Sequence, residues 1–345
     1  MEFLVQIAGF FTALITGLAA FVNPAIAYVA EPFSLPKHEG RIIFVGDMMF
    51  DRTIRTTMLE KGGDQLFSCI DYVLREADLV VGNLEGPISD FPSRSVGSKP
   101  RDENNFTFTF PTSTAMLLYE HNIRLVNLGN NHIANFGREG MVQTKNWLTA
   151  AGVQYFGLPA EASAQAGDPQ SAEAERVAQV EINGIAFSFV NWSEWTPVGK
   201  PSASNLPAEA SAQAGGAGEL NPVVEQIKKE AKAGRVVVVY THWGEQYVPT
   251  PEHVKVLARQ FVDAGAEIVI GSHPHIIQEH ELYEGKHIYY SLGNFIFDQY
   301  WNEEVRTGLL LDVVFDDKGI QSIEEKETWL QRDRSTCLKS ERKAE

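Results

Sequence analysis

The chain has 345 residues, 44% of them hydrophobic, and a formal net charge of −16, which fits a folded globular protein. This acidity argues against a general nucleic-acid-binding protein, because such a protein needs a basic surface to displace counterions from phosphates. An anionic substrate would have to be attracted locally, by a bound cation or by clustered Arg and Lys side chains.

The N-terminus begins with an apolar run at 3–22 that contains no charged residue. Small residues at 25–27 then resemble a signal-peptide cleavage site. The run is also long enough to span a bilayer if it is not removed. We therefore expect residues 1–30 to be a signal peptide or an N-terminal membrane anchor, followed by a linker at 31–40. The protein is accordingly predicted to be exported, and either membrane-anchored or secreted.

From residue 41 onward, short apolar segments alternate with segments that have helical spacing. Strands are predicted at 41–45, 78–82 and 123–128, and helices at 64–77, 112–122 and 138–151. This alternation predicts right-handed crossovers and a parallel sheet.

The second half of the chain is richer in β-strands. Asn183-Gly184 separates two β-type segments and predicts a two-residue hairpin. Further elements are a helix at 219–233, a strand at 235–240, a helix starting at Pro251, and strands at 267–270, 276–282, 287–291 and 308–315. We expect a folded domain at 41–330 and a mobile, charged tail at 331–345.

The sequence LPAEASAQAG occurs twice, at 158–167 and at 206–215. Its Ala- and Gly-rich composition offers no apolar face that could pack. We interpret the regions near 158–176 and 199–218 as surface-loop insertions without function. A linker or partner-docking role is the alternative.

Cys69 and Cys337 are the only cysteines, which are too few for a disulfide framework or a thiolate zinc cluster. Cys69 lies in an apolar helical pattern and is expected to be a buried free thiol. Cys337 lies in the charged tail. A bridge between the two is open, but nothing in the sequence favours it.

Five short polar motifs follow predicted strands, where open α/β sheets bind ligands. They are Gly46-Asp47, Asn83-Leu84-Glu85, Asn130-Asn131-His132, His242 and His273-Pro274-His275. His273 and His275 are two residues apart, so in an extended segment both imidazoles point the same way. Imidazole, carboxylate and amide oxygen suit Zn, Mn or Fe. The sequence therefore predicts one shared metal site at this edge of the sheet.

Several nearby residues have two readings each. Arg52 could hold an anionic substrate bidentately or form a surface ion pair. Glu245 could orient His242 or face water, and Asn294 could line the site or form a turn. Four Trp residues near these motifs could contact a substrate at the rim of the site or pack in the core and loops. They are Trp192, Trp195, Trp243 and Trp301.

From about residue 41 to 316, the chain resembles the CapA/PgsA family of capsule and poly-γ-glutamate biosynthesis proteins. The motifs that carry the resemblance are GDMMFDR, NLEGPI, FTFTFP, NLGNNHIANFG, THWGEQY, GSHPHIIQ and YSLGNFIFDQ. That family is similar to the calcineurin-like metallophosphoesterases. The resemblance implies an α/β fold, a four-layer α-β-β-α metallophosphatase-like sandwich with two central mixed sheets.

The resemblance also implies individual roles at the motif residues. It assigns metal ligands to Asp47, Glu85, Asn131, His242, His273 and His275. His132 matches the His that stabilises the transition state or protonates the leaving group. Arg52 is the second expected catalytic residue, not through the resemblance but because its guanidinium could hold an anionic substrate. Met49 stands where the phosphoesterases have a further ligand His, and a thioether does not replace an imidazole for such a dication. We expect one or two divalent ions, Mn, Zn or Fe.

Two functions agree with this pattern. The first is a metal-dependent, phosphoesterase-like hydrolase or transferase that acts on an anionic envelope polymer or its precursor. The alternative is a non-catalytic, membrane-anchored accessory subunit that works with membrane-bound synthase or export partners. A pure carbohydrate- or peptide-binding module would explain the Trp residues but not the convergent ligands. No nucleic-acid partner is expected.

Overall fold

The computed structural model describes residues 38–158, 176–194 and 217–342. The predicted signal or anchor segment and nearly all of both repeat copies lie outside these described residues. The described residues belong to one compact unit. Within them, no helix combines the length and the apolar character that a membrane span requires.

The strands are numbered in chain order. They are β1 Gly40–Met48, β2 Leu79–Leu84, β3 Ile123–Asn127, β4 Gln154–Phe156, β5 Val177–Ile182, β6 Ile185–Ser193, β7 Val236–His242, β8 Ile268–Ser272, β9 His280–Tyr283, β10 Lys286–Tyr289, β11 Asn294–Ile296, β12 Thr307–Asp316, β13 Gly319–Leu330 and β14 Thr336–Leu338.

The α-helices are α1 Arg52–Lys61, α2 Asp71–Leu74, α3 Thr114–Glu120, α4 Gly137–Ala151, α5 Ala217–Lys232, α6 Glu252–Asp263 and α7 Glu303–Arg306. Short 3-10 helices occupy Gly63–Leu66, Glu103–Phe106 and Lys339–Glu341.

The strands form two mixed sheets. The first has the order β14-β13-β12-β1-β2-β3-β4, with β11 alongside β1. Its strands β1 to β4 run parallel to one another, whereas β12, β13 and β14 are added in antiparallel pairing. The second has the order β5-β6-β7-β8-β10-β9 and is parallel except at its two edge hairpins. The predicted hairpin at Asn183-Gly184 is confirmed as the β5–β6 turn.

The layers follow from the alternation of side chains along the strands. In β1, Phe44 belongs to the buried cluster between the sheets together with Phe187 of β6. Val45 points to the opposite face, in the cluster that includes Leu148 of α4. The outer face of the second sheet packs against α5 and α6, for example through Phe261. The predicted four-layer α/β sandwich with two mixed sheets is thereby confirmed.

Some predicted elements differ in the structure. The single helix expected at 64–77 is replaced by a 3-10 helix and the short α2, with a turn between them. Helix α1 was not expected, because its Thr residues have low helix propensity. Strand β13 was not expected either, because most of its middle residues are polar and partly or fully exposed. The strand predicted at 276–282 is confined to His280–Tyr283.

The C-terminal tail and the cysteines require the largest corrections. Cys69 and Cys337 form a disulfide, with Cα atoms 4.8 Å apart, so the expectation of a free thiol at Cys69 is wrong. Cys337 lies in β14, where it pairs with the buried Trp329 of β13. The guanidinium of Arg306 stacks over Trp329 at 4.1 Å. Much of the region predicted as a mobile tail is therefore an edge of the first sheet, covalently tied to the turn before α2.

Candidate metal centre

The carboxyl ends of strands from both sheets meet at one place. Asp47 near the end of β1 is the register partner of Asn83 in β2 and of Asn294 in β11. Its Oδ1 accepts a hydrogen bond from Asn83 Nδ2 at 2.8 Å. Its Oδ2 accepts one from the backbone N–H of His273, at 3.1 Å, just after β8 of the other sheet. The Asp47 carboxylate thus joins the two sheets at the predicted edge.

Glu85 occupies the middle of the site. The residue is fully buried, and neither carboxylate oxygen has a hydrogen-bond partner among the described residues. Its Oε1 lies 3.7 Å from Nε2 of His275, 3.8 Å from Nε2 of His132 and 4.0 Å from Nε2 of His242. These separations are too long for hydrogen bonds. A buried, unpartnered carboxylate among imidazoles is the arrangement that a bound cation would stabilise.

The remaining donor atoms cluster around the same point. His242 Nε2 is 3.0 Å from His273 Nδ1 and 2.8 Å from Asn131 Oδ1. His275 Nδ1 is 3.3 Å from Asp47 Oδ2. Two groups, Glu85 with His242 and His273, and Asp47 and Glu85 with His275, each have ligand atoms within 4.8 Å of one another. These buried groups form a set that can bind a metal ion, and both groups share Glu85.

Burial favours the neutral form of both kinds of side chain at the site: neutral imidazole can bind a metal directly, whereas protonated Glu85 must first lose its proton. Burial, with the negative charge of Asp47, raises the pKa of Glu85 well above its usual range, although Arg52 opposes this. Burial also lowers the pKa of His242 and of His273 well below the usual range, and neighbouring imidazoles add to the effect. Both imidazoles are therefore neutral, and neutral imidazole is the form that coordinates metals.

The segment that carries His273 and His275 is not extended, contrary to the expectation. Their φ angles are 97° and 57°, in a region that L-residues rarely adopt. Both side chains still reach the centre, because the turn after β8 redirects them, and their ring centroids are 6.0 Å apart. Such strained backbone persists where surrounding contacts enforce it, and it clusters at functional sites.

His132 lies at the side of the centre next to Glu85. Burial, followed by the charges of His275 and Arg52, lowers the pKa of His132 to about 3. Its ring packs against Phe108 at a centroid distance of 4.4 Å. The Asn130 side chain accepts hydrogen bonds from the His132 and Ile133 backbone N–H groups. Asn130 therefore shapes the loop that presents His132.

The chain matches the family model described as "Bacterial capsule synthesis protein PGA_cap" over residues 41–299. The chain belongs to this family. That match contains every predicted ligand of the metal centre.

The chain is also similar to individual proteins and to one solved structure. The PGA biosynthesis protein CapA of Bacillus subtilis is 30% identical over 260 residues, which is 75% of this chain and 63% of that protein. The Capsule biosynthesis protein CapA of Bacillus anthracis is 28% identical over 314 residues, 87% of this chain and 71% of that protein. A hypothetical protein from Thermus thermophilus has a solved structure with a TM-score of 0.48 and 17% identity, covering 83% of this chain and 98% of that one. The chain thus spans less than two thirds of the B. subtilis relative.

Arg52 lies beside the centre and already forms an ion pair with another residue of this chain. Its Nη2 forms an ion pair with Asp298 Oδ1 at 2.5 Å. Its guanidinium also lies over Phe108 at 5.1 Å and over Phe297 at 5.4 Å, as in cation–π contacts. The ion pair is largely buried rather than a surface pair, because the Arg52 side chain is only 14% exposed.

Met49 is buried among the core side chains between the first sheet and its helices. Its sulfur accepts a hydrogen bond from the backbone N–H of Asp51 at 3.0 Å. The thioether thus has a structural contact at the position where the phosphoesterase resemblance led us to look for a ligand His.

Asn127 and Asn191, which hold the Asn83 side chain beside Asp47, were missed by sequence reasoning. Asn83 Oδ1 accepts a hydrogen bond from Asn127 Nδ2 at 3.1 Å. Asn127 Oδ1 accepts one from Asn191 Nδ2 at 2.9 Å, which links the first sheet to β6 of the second. The signal was available, because an Asn lies at or near the end of β2, β3 and β6.

Glu245 is exposed, in agreement with the alternative that it faces water, and Glu194 contacts the segment around His242 instead. Its backbone N–H donates to the carbonyl of His242, a predicted ligand, at 3.0 Å. Its buried carboxylate accepts from Gly244 N at 2.7 Å and lies 2.8 Å from His253 Nε2. Glu194 therefore holds the loop that follows His242 at two points, through its backbone at His242 and through its side chain at Gly244.

Of the four Trp residues considered for a rim, Trp192 and Trp243 are buried in the core of the second sheet. Trp195 lies outside the described residues. Trp301 is 62% exposed and remains the candidate of this group for contact with a substrate. Asn294 lines the site, with its Oδ1 3.0 Å from His275 Nδ1.

Proposed function

We propose that this chain takes part in the biosynthesis of capsule or poly-γ-glutamate as a metal-dependent hydrolase or transferase. The names of its Bacillus relatives, which refer to PGA and capsule biosynthesis, support a role in such a pathway. The observation that carries the chemistry is Glu85, a fully buried carboxylate without a hydrogen-bond partner among the described residues, with three imidazole nitrogens within 4.0 Å. Its substrate would be an anionic envelope polymer or a precursor of one.

In this proposal, one or two divalent ions, Mn, Zn or Fe, are held by six side chains: Asp47, Glu85, Asn131, His242, His273 and His275. Such an ion would lower the pKa of water and polarise a phosphoryl or acyl oxygen. Because Asp47, Glu85 and Asn131 come from the first sheet and the three His from the second, the sandwich itself sets the ligand geometry.

His132 and Arg52 complete the proposed machinery. His132 directs Nε2 towards Glu85, at 3.8 Å from Oε1, and its lowered pKa keeps the imidazole neutral, so this nitrogen can donate a hydrogen bond that stabilises a negatively charged oxygen of the transition state beside the centre. Its Nδ1 is occupied on the other side by Asn135 Nδ2 at 3.2 Å. Arg52 would attract a negatively charged group of the substrate, and its pairing with Asp298 keeps the guanidinium in place for this.

The site is proposed to act outside the cytoplasm. The predicted signal or anchor at residues 1–30 supports export, and so does the Cys69–Cys337 disulfide, because disulfides persist in oxidising compartments. An uncleaved anchor would bring the chain to membrane-bound synthase or export partners.

A non-catalytic accessory subunit is the second candidate function. The core position of Met49 supports it, because one ligand of a two-metal phosphoesterase is then absent. A chain of Mycobacterium tuberculosis named "Probable polyglutamine synthesis accessory protein" is 29% identical over 178 residues, which is 50% of this chain and 44% of that protein.

The deciding experiment is elemental analysis of the full chain purified without added metal, compared with Asp47→Ala and His273→Ala. We expect bound metal in the parent chain and its loss in both variants. Equal metal content in all three proteins would refute the assigned ligands.

Catalysis is tested separately with His132→Ala, which keeps the six ligands. The catalytic proposal expects this variant to retain metal but to lose hydrolysis of a phosphoester or a γ-glutamyl amide. Full polymer production in cells that carry His132→Ala would instead support the accessory function.

A further inference from the structure

An exposed aromatic pair lies beside the metal centre. Tyr247 and Trp301 are 42% and 62% exposed, and their rings meet edge-to-face with centroids 5.4 Å apart. The Tyr247 ring also stacks on the ligand His275, with a centroid distance of 5.9 Å. Exposed apolar side chains that are grouped next to a polar site mark binding surfaces more often than isolated ones do.

The pair is held in place by hydrogen bonds to the metal centre. Tyr247 has a φ angle of 63°, and its backbone N–H donates to the carbonyl of Pro274, between the two His ligands, at 2.9 Å. Its hydroxyl accepts a hydrogen bond from Gln299 Nε2 at 2.9 Å. Gln299 Oε1 in turn accepts from Asn294 Nδ2 at 3.1 Å. Because Asn294 also contacts His275, the aromatic ring and the ligand belong to one network.

The chemistry of this surface indicates the group that it would bind. The Tyr247 hydroxyl accepts from Gln299, which leaves its own proton available to a ligand acceptor. The neighbouring polar side chains, Gln299 and Asn294, point inward to each other. A planar, uncharged group with one acceptor oxygen matches two aromatic faces and one hydroxyl donor, and an amide has these properties.

Charge separates this surface from the anion-attracting side of the centre. Arg52 lies against Phe297, whose ring is 4.8 Å from His275, so the guanidinium and the aromatic pair flank the same ligand. In a chain with a net charge of −16, the metal and Arg52 are where acidic groups of a substrate would be attracted. The aromatic pair is left to contact an uncharged part of the same substrate.

We propose that Tyr247 and Trp301 form an aromatic subsite that binds the amide plane of a polyamide chain next to the metal centre. The subsite rests on the proposed polymer substrate, and it adds which residues recognise the chain. Trp301 supplies a face for stacking, and Tyr247 supplies a second face and a hydrogen-bond donor for the amide oxygen.

The test is calorimetric binding of a short γ-linked oligoglutamate to the full chain, with a glucose oligomer as the carbohydrate probe. We expect Trp301→Ala to weaken oligoglutamate binding by about tenfold and Tyr247→Phe by about threefold, with thermal unfolding unchanged. Trp147→Ala is the matched control, because Trp147 is also exposed, at 40%, but lies on α4. This control should bind as the parent chain does.

Three results would overturn the subsite. They are unchanged affinity in Trp301→Ala, absence of oligoglutamate binding to the parent chain, and glucose-oligomer binding that depends on Trp301. Because no turnover is needed, the subsite and the proposed function fail separately. Oligoglutamate binding that depends on Trp301, without any hydrolysis of a phosphoester or a γ-glutamyl amide, would refute only the proposed enzymatic activity. Metal-dependent hydrolysis of a small phosphoester, without oligoglutamate binding, would refute only the subsite.

Discussion

The metal centre and the disulfide-linked edge of the first sheet bury charged and polar groups in opposite ways. At the edge, the buried Arg306 donates to the carbonyl of Leu330 and stacks on Trp329, while a covalent bond fixes Cys337. At the centre, Glu85 is buried without a hydrogen-bond partner among the described residues. The protein itself supplies hydrogen-bond and stacking partners for the buried polar groups at the edge. The buried carboxylate of Glu85 has no such partner among the described residues and is arranged for a bound cation. The edge strands of the first sheet thus serve stability, whereas the proposed function lies at its central strands, where they meet the second sheet.

The largest expected effect comes from the edge. Removing the disulfide with Cys69→Ala and Cys337→Ala should lower the free energy of unfolding by about 2–5 kcal/mol, because the bridge closes a very long loop. Denaturant unfolding measures this change. A reducing agent should destabilise the parent chain and leave the double variant unaffected. Metal content of the folded variant should stay unchanged, and metal loss would show that the two regions are not separate.

At the centre, we expect a substitution to raise the free energy of unfolding rather than lower it. In the presence of a chelator, Glu85→Leu should raise the free energy of unfolding by about 1–3 kcal/mol, because it removes a buried, unpartnered carboxyl group. The same variant should lose metal binding. Denaturant unfolding of parent and variant in chelator measures the difference. If Glu85→Leu destabilises the metal-free chain, then Glu85 is satisfied without an ion and the contrast between the regions fails.

Metal binding should depend on pH in a defined direction. Because the pKa of Glu85 is raised in the folded chain, metal has to displace its proton at any pH below that pKa. Affinity should therefore rise with pH by about tenfold per unit for each proton released, and level off above the raised pKa. Without metal, the sign is reversed, since the fold loses stability as pH rises from the ordinary carboxyl pKa through the raised one. Calorimetry in buffers of different ionisation enthalpy counts the protons, and Glu85→Gln should release fewer.

The smallest effect is expected from Glu194, which contacts a ligand through the backbone only. Glu194→Gln can keep the hydrogen bond to Gly244 but loses the charge opposite His253. Metal affinity should fall by about threefold to tenfold. This is less than expected for removing a residue whose side chain hydrogen-bonds directly to a ligand side chain. Glu245→Gln is the matched control and should bind metal as the parent chain does. An equal loss in both variants would mean that general charge, rather than the orientation of His242, sets the affinity.

The layered fold was accessible from the sequence because apolar strands and helical segments alternate up to Ala151. The convergence of Asp47 and Glu85 also followed, since the carboxyl ends of parallel strands share an edge. That His242 would approach them from a second sheet was not predicted. The left-handed turn at His273 was not predictable, because it depends on contacts such as the hydrogen bond to Asp47. The disulfide joins residues separated by 268 positions, and no local pattern reports such a contact.

The division of the ligands between the two sheets has a consequence for how the protein matures. Asp47, Glu85 and Asn131 precede residue 158, whereas His242, His273 and His275 follow residue 217. Neither half of the chain holds a complete set, so tight metal capture requires that both halves have been synthesised and have docked. If the chain is exported before it folds, as the proposed extracytoplasmic function allows, folding ends at its destination. The metal supply outside the cytoplasm, rather than that of the cell interior, would then decide which ion the protein carries.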